Sequence, residues 1–290
     1  MCQDREDNEI KAKCLYLLGK TYSKINNSDD NRRIEYLNQS IEIYKTLKLD
    51  NQRTEYALCF YEKSICLSWL EKYDESNQNI DKCLKSLDMI NCEERADCLM
   101  KKCYNHFKLK EFEDSVHNGL SAIEIYRKFK RERSYEVAQC YRWMAESSGY
   151  LGAKENFVDY YKNALELFRE LEKHQLVAFS LKKLSAAYGQ CGKREEQLKY
   201  GKESLEKYNS LSFEGWENGE EMASCYTYLA DAYRANRDYT RAGEYYYLAL
   251  SFYTKYEDEI NTIRLKMSRN RNISRNPNEL NWRMGNLDLN

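Results

Sequence analysis

The side chains of this chain with chemical potential are its cysteines, histidines and clustered carboxylates. Eleven cysteines would suit a disulfide framework or a zinc site. They are odd in number, however, no C-x-x-C pair occurs among them, and only three histidines are available to complete a ligand set. Reduced thiols are expected, with no metal and no cofactor. His106, His117 and His174 have no flanking nucleophile motif that would make one of them a general base. The acids Glu257, Asp258 and Glu259 read as a solvated helix face. Phosphate-binding and metalloprotease signatures, G-x-x-x-x-G-K-[ST], G-x-G-x-x-G and H-E-x-x-H, do not occur. An enzyme is not expected.

The cysteines instead mark a repeated position. EVAQCY at 136–141 returns as EMASCY at 221–226, and the core of the motif, A-x-C, recurs at Ala12-Lys13-Cys14, Ala57-Leu58-Cys59, Ala96-Asp97-Cys98, Ala138-Gln139-Cys140 and Ala223-Ser224-Cys225. Ala178-Phe179-Ser180 fills the gap. The alanines are 45, 39, 42, 40 and 45 residues apart, the period of stacked helix pairs. A second landmark, a small residue followed by an apolar one, lies 26 residues after each alanine and 28 after the first: Ser40-Ile41, Cys83-Leu84, Ala122-Ile123, Ala164-Leu165, Ser204-Leu205 and Ala249-Leu250. A small, weakly polar side chain at one helical slot suits close packing, and free cysteine behaves there as a small hydrophobe.

The elements that must carry these landmarks are helices. One proline and 11 glycines in 290 residues, among abundant Leu, Glu, Lys, Arg, Ala and Gln, favour helix nearly throughout. Turn-like stretches such as LEKYDES, KLKEFEDS and CGKREEQ separate the landmarks, so each unit reads helix, turn, longer helix. The chain resembles the tetratricopeptide repeats, most clearly in YTYLADAYRANRDYTRAGEYYYLAL at 226–250, where Leu229, Ala230, Tyr233, Tyr239, Ala242, Tyr246 and Ala249 occupy the large and small packing slots of that family. The slot that the family gives to glycine holds Gly19, Ser64, Cys103, Ala145, Ser185 and Ala230, and the proline that often closes a unit is missing. The period near 40 resembles the long-helix members, kinesin light chains and polarity adaptors of the LGN type. The resemblance implies an all-α, right-handed superhelical solenoid of about six helix pairs over 1–256, with units near 10–48, 55–92, 94–132, 136–175, 176–212 and 221–256. A helical extension or cap is expected over 257–269 and a flexible, asparagine-rich basic tail over 270–290.

Charge and hydropathy narrow the partners. Lysine plus arginine number 46 against 47 acids, a net charge of -1, which gives no general attraction to nucleic acid or an anionic membrane. No apolar run approaches the roughly 20 residues of a membrane span, and MCQDREDNEIKAK lacks the order of a signal peptide, so a cytoplasmic or nuclear protein is expected. In a stack of helix pairs the first helices line the concave wall. Residues one, four, eight, eleven and twelve after each alanine are expected to face it. Units two and three place Tyr61, Ile65, Trp69, Met100, Tyr104 and Phe107 there, with Lys20, Lys24, Lys108 and Arg142 around them. Aromatic anchors with a charged margin suit a peptide or helical segment of another protein, not a small-molecule substrate. Chaperone-binding members of the family grip a C-terminal carboxylate with lysine and asparagine at fixed slots of their first two units; the corresponding positions here are Tyr16 and Lys20 in unit one, and unit two does not supply the asparagine, so a chaperone-tail clamp is not expected. The sequence therefore points to a non-enzymatic adaptor. The alternative is a peptide-regulated helical switch that controls a partner or an attached domain.

Overall fold

The computed structural model describes residues 2–21, 29–49, 54–87, 93–213, 219–252, 263–265 and 267. Among them are twelve α-helices and no strand. The chain divides into two compact units, Met1–Gly152 and Ala153–Asn290, at a point inside the repeat expected over 136–175. The first unit holds α1 (Cys2–Thr21), α2 (Asp30–Thr46), α3 (Thr54–Trp69), α4 (Tyr73–Ser86), α5 (Glu94–Leu109), α6 (Phe112–Lys128) and α7 (Tyr135–Tyr150). The second holds α8 (Lys154–Glu170), α9 (His174–Gln190), α10 (Arg194–Phe213), α11 (Gly219–Ala235) and α12 (Tyr239–Phe252). Within each unit helices adjacent in sequence pack on each other, in the order the repeat requires. No helix is long and apolar enough to cross a membrane, among the described residues. Lys24 and the segment 268–290 lie outside the described residues.

Local signals set the helix ends. Asp29, Ser134 and Asp238 each accept a hydrogen bond from the backbone N–H three residues on, at 3.1, 3.3 and 3.1 Å, and so satisfy one of the open donors of a first turn. The short connections after α3, α5, α7, α9 and α11 each contain one left-handed residue: Glu71 (φ 59°), Lys110 (64°), Gly152 (74°), Gly192 (73°) and Arg237 (62°). Only two of these positions use the residue that takes this conformation without steric cost.

The two sequence landmarks meet in space. Ser40 Oγ donates to the carbonyl of Ala12 at 2.8 Å, and Ser204 Oγ to that of Ala178 at 2.9 Å, so the small residue of the second helix locks onto the alanine of the first. The thiol of the following pair then closes on the same spot. Cys59 Sγ donates to Ser40 Oγ at 3.4 Å, Cys225 Sγ lies 3.2 Å from Ser204 Oγ, and Cys98 Sγ lies 3.5 Å from Cys83 Sγ. The A-x-C alanine faces its own partner helix, and the cysteine faces the pair before. This explains the one departure from the expected buried slot. Cys14 is exposed, whereas Cys59, Cys98, Cys140 and Cys225 are buried, because no helix pair precedes α1 among the described residues. Four residues after the second landmark, Tyr44, Tyr126, Phe168 and Tyr208 are buried almost completely. Each such ring removes enough apolar surface to contribute about 1.5–3 kcal/mol. Ile263 and Met267 pack with Tyr246 and Ala249 of α12.

An aromatic pocket on alternate helices

α3, α5 and α7 turn one face of the first unit towards a pocket of about 450 Å³. The residues that form it come from the carboxyl end of α3 (Ser68, Trp69), the middle of α5 (Met100, Lys101, Tyr104) and the first half of α7 (Tyr135, Glu136, Gln139, Arg142, Trp143). Helical periodicity brings them together. At about 100° per residue, positions four, five and eight after Ala96 share one side of α5, while Ala96 and Cys103 face the core. The walls are aromatic. Tyr104 and Trp143 rings lie 4.8 Å apart between centroids, and Phe107 carries the array onward, 5.2 Å from Trp143 and 6.1 Å from Tyr150. Tyr150 in turn stacks on Phe112 at 4.7 Å with a 4° interplanar angle. Trp69 is 72% exposed and Tyr150 68% exposed, so the rim of this array is open to solvent.

Cations punctuate the rings. The Arg142 guanidinium lies 4.2 Å from the centroid of Trp143 and donates to Gln139 Oε1 at 3.3 Å. Lys101 and Lys108 place their Nζ atoms 5.3 and 5.8 Å from the centroid of Tyr104. Burial holds the Lys101 ammonium below the usual lysine range and pushes the Tyr104 hydroxyl up to about 12. Glu136, the single carboxylate in the lining, accepts from Arg131 Nη2 at 2.7 Å.

Of the residues expected from the sequence, Trp69, Met100, Tyr104 and Arg142 line the pocket, with Phe107 and Lys108 against its aromatic wall. Tyr61 and Ile65 do not line it. Tyr61 packs against the core of the first helix pairs, where burial and the nearby Asp97 carboxylate raise its pKa strongly. Lys20 lies beside the buried Tyr16, its Nζ 3.4 Å from the hydroxyl. The pocket takes in residues of α3, α5 and α7, which belong to units two to four, and Lys20 of unit one is not in its lining. Sequence reasoning missed Lys101 and Trp143, both five residues after the landmark alanine. The signal was present, because that position falls about 20° from the twelfth, which was counted.

Other chemistry-bearing groups are arranged differently. Burial pushes the thiols of Cys59, Cys66 and Cys103 up to about 12 and that of Cys225 to about 11, which removes the thiolate that reactivity needs. His106, Glu111 and Asp114 come within 4.8 Å of one another, with His106 Nδ1 2.5 Å from Glu111 Oε2. These acids stand at the amino end of α6, the positive end of the helix dipole, which favours carboxylates and competes with a cation.

Solved structures share this architecture. The protein BtubC from P. vanneervenii superposes with a TM-score of 0.61 at 16% identity over 83% of this chain and 93% of its own. YrrB, described as a tetratricopeptide-repeat protein with an unusual peptide-binding site, gives 0.56 at 11% identity over 76% and 97%. A Rap protein complexed with competence and sporulation factor gives 0.55 at 14% identity over 97% and 87%. No protein-family model and no curated protein sequence matches the chain. The chain has the tetratricopeptide-repeat fold.

Proposed function

We propose that this protein is a non-enzymatic interaction module that holds an apolar segment of a partner protein in the pocket between α3, α5 and α7. The observation that carries the reading is the wall of Trp69, Met100, Tyr104 and Trp143, drawn from three successive first helices and left open to solvent at Trp69. Rigid aromatic rings lose little conformational freedom on binding, which makes them effective anchors. YrrB, which has the same fold, is described as having a peptide-binding site, and this supports a binding role for the repeat face here. The buried, protonated thiols supply no nucleophile, which favours binding over catalysis.

The test is affinity capture of partners from a cell extract with the intact chain, compared with a Trp69→Ala, Tyr104→Ala double variant. Loss of the captured proteins from a variant with unchanged helical content supports the pocket as the contact surface. Undiminished capture overturns it. The switch reading draws on the Rap protein in complex with competence and sporulation factor, a likeness that spans 97% of this chain. A change in scattering profile on peptide binding would favour the switch, and an unchanged profile the adaptor.

A further inference from the structure

The pocket has an imbalance that its aromatic walls do not explain. Lys101 stands in the lining with its ammonium partly withdrawn from water, its Nζ 5.3 Å from the centroid of the Tyr104 ring, and with no ion pair or hydrogen bond among the described residues. A desolvated ammonium is costly unless an anion accompanies it. Two further cations share the same rings: Lys108 over Tyr104 and Arg142 over Trp143. The one lining carboxylate, Glu136, is already engaged by Arg131. The rings thus offer a flat apolar surface in which Lys101, among the described residues, has no carboxylate paired with it.

We infer that the pocket selects a protein segment in which an acidic side chain lies beside a flat apolar one, and that Lys101 is the residue that reads the acid. The inference rests on the reading of this pocket as a peptide site. The apolar side chain covers Tyr104 and Trp143, excluding water, and the acid then meets Lys101 where the low local dielectric strengthens a charge-assisted hydrogen bond. A polyphosphate strand is the poorer fit, because Glu136 stands in the lining and the chain as a whole carries a net charge of -1. Lys101 acts as the specificity determinant, and the rings supply most of the affinity.

The test is selection from a random-peptide phage library against the full chain and, in parallel, against Lys101→Met. The wild-type chain is expected to enrich peptides with Asp or Glu next to Trp, Phe, Leu or Met, and the variant to enrich apolar peptides without the acid. For a synthetic peptide from the wild-type pool, Lys101→Met should weaken binding at least about tenfold, and the same peptide with Glu replaced by Gln should lose less than about twofold on the same substitution. Lys101→Gln, which keeps the polar character, serves as the second variant should Lys101→Met fail to fold. Wild-type pools with no acidic preference, or an acidic preference that survives in both variants, would overturn the role of Lys101 while leaving the peptide site standing. A wild-type chain that enriches no peptide would overturn both. Displacement of the selected peptides by single-stranded DNA at lower concentration than by free peptide would assign the surface to nucleic acid and end the proposal.

Discussion

Two faces of the same helices in the first unit follow opposite rules. On the packing face the residue at a given slot is nearly constant from pair to pair. Alanine meets a small side chain 26 or 28 residues on, the next cysteine closes over it, and a large buried side chain, Tyr44, Leu87 or Tyr126, fills the space four residues further. On the pocket face the residue changes from pair to pair, apart from one shared tyrosine. The position five after the alanine is Leu17, Glu62, Lys101 and Trp143 in α1, α3, α5 and α7, and the position four after it is Tyr16, Tyr61, Met100 and Arg142. Constancy reflects a contact that each pair must make with its neighbour, so one geometric solution is reused. The variation at Met100, Lys101, Arg142 and Trp143, which line the pocket, marks a face free of that requirement, whereas Tyr16 and Glu62 at the same positions of α1 and α3 are buried. Lys101, charged and partly buried, would be a poor choice for packing alone.

The sharpest way to break the comparison is to charge the packing face by pH. Burial raises the thiols of Cys59, Cys66 and Cys103 to about 12 and of Cys225 to about 11, so the folded chain keeps protons that the unfolded chain releases near pH 9. The stabilisation is fully present below the unfolded thiol pKa and is lost as pH rises towards the folded values. The loss is on the order of 5 kcal/mol for the four thiols one unit above pH 9. Urea unfolding at pH 8 and pH 10 measures it. An unchanged midpoint would mean that the slots admit water.

A single truncation on each face comes next. Tyr126 is fully buried and its hydroxyl donates to Asp97 Oδ1 at 2.5 Å, so Tyr126→Ala should cost about 3–5 kcal/mol of stability. Trp69→Ala, at a residue 72% exposed, should change stability by no more than about 0.5 kcal/mol and weaken partner binding by about 2 kcal/mol. Thermal unfolding and binding isotherms on both variants test the contrast. Similar stability losses from the two would erase it.

The cysteine slot separates more finely. Cys140→Ser should cost about 1 kcal/mol, and Cys225→Ser less, because Ser204 Oγ stands 3.2 Å from the thiol and is placed to bond a new hydroxyl. Cys14, which is exposed, should react with a maleimide at once, while Cys59, Cys98, Cys140 and Cys225 label only as the protein opens. Mass spectrometry of the labelled chain reads both. The smallest effect is expected at the turns: Lys110→Gly, at φ 64°, should raise the unfolding midpoint slightly by relieving the left-handed strain, a gain of a few tenths of a kcal/mol.

The sequence by itself determined the repeat. The interval between alanines, the small residue 26 positions on and the near absence of proline dictate helix pairs, because periodic burial leaves a periodic pattern in one dimension. The expectation of buried thiols held for the A-x-C cysteines other than Cys14, which depends on the presence of a preceding pair. The pocket was legible in part. Trp69, Met100, Tyr104 and Arg142 were named from the helical face, and Tyr61 and Ile65 were named with them by the same register. Tertiary structure decided between these groups. Tyr61 folds onto the core beside Asp97, whereas Tyr104 meets Trp143 on the next first helix and stays at the surface. That outcome turns on which side chains stand opposite across neighbouring helices, a pairwise packing relation that the spacing within one helix does not contain. For the same reason the sequence did not single out Lys101, which stands partly buried over the Tyr104 ring with no carboxylate paired with it among the described residues.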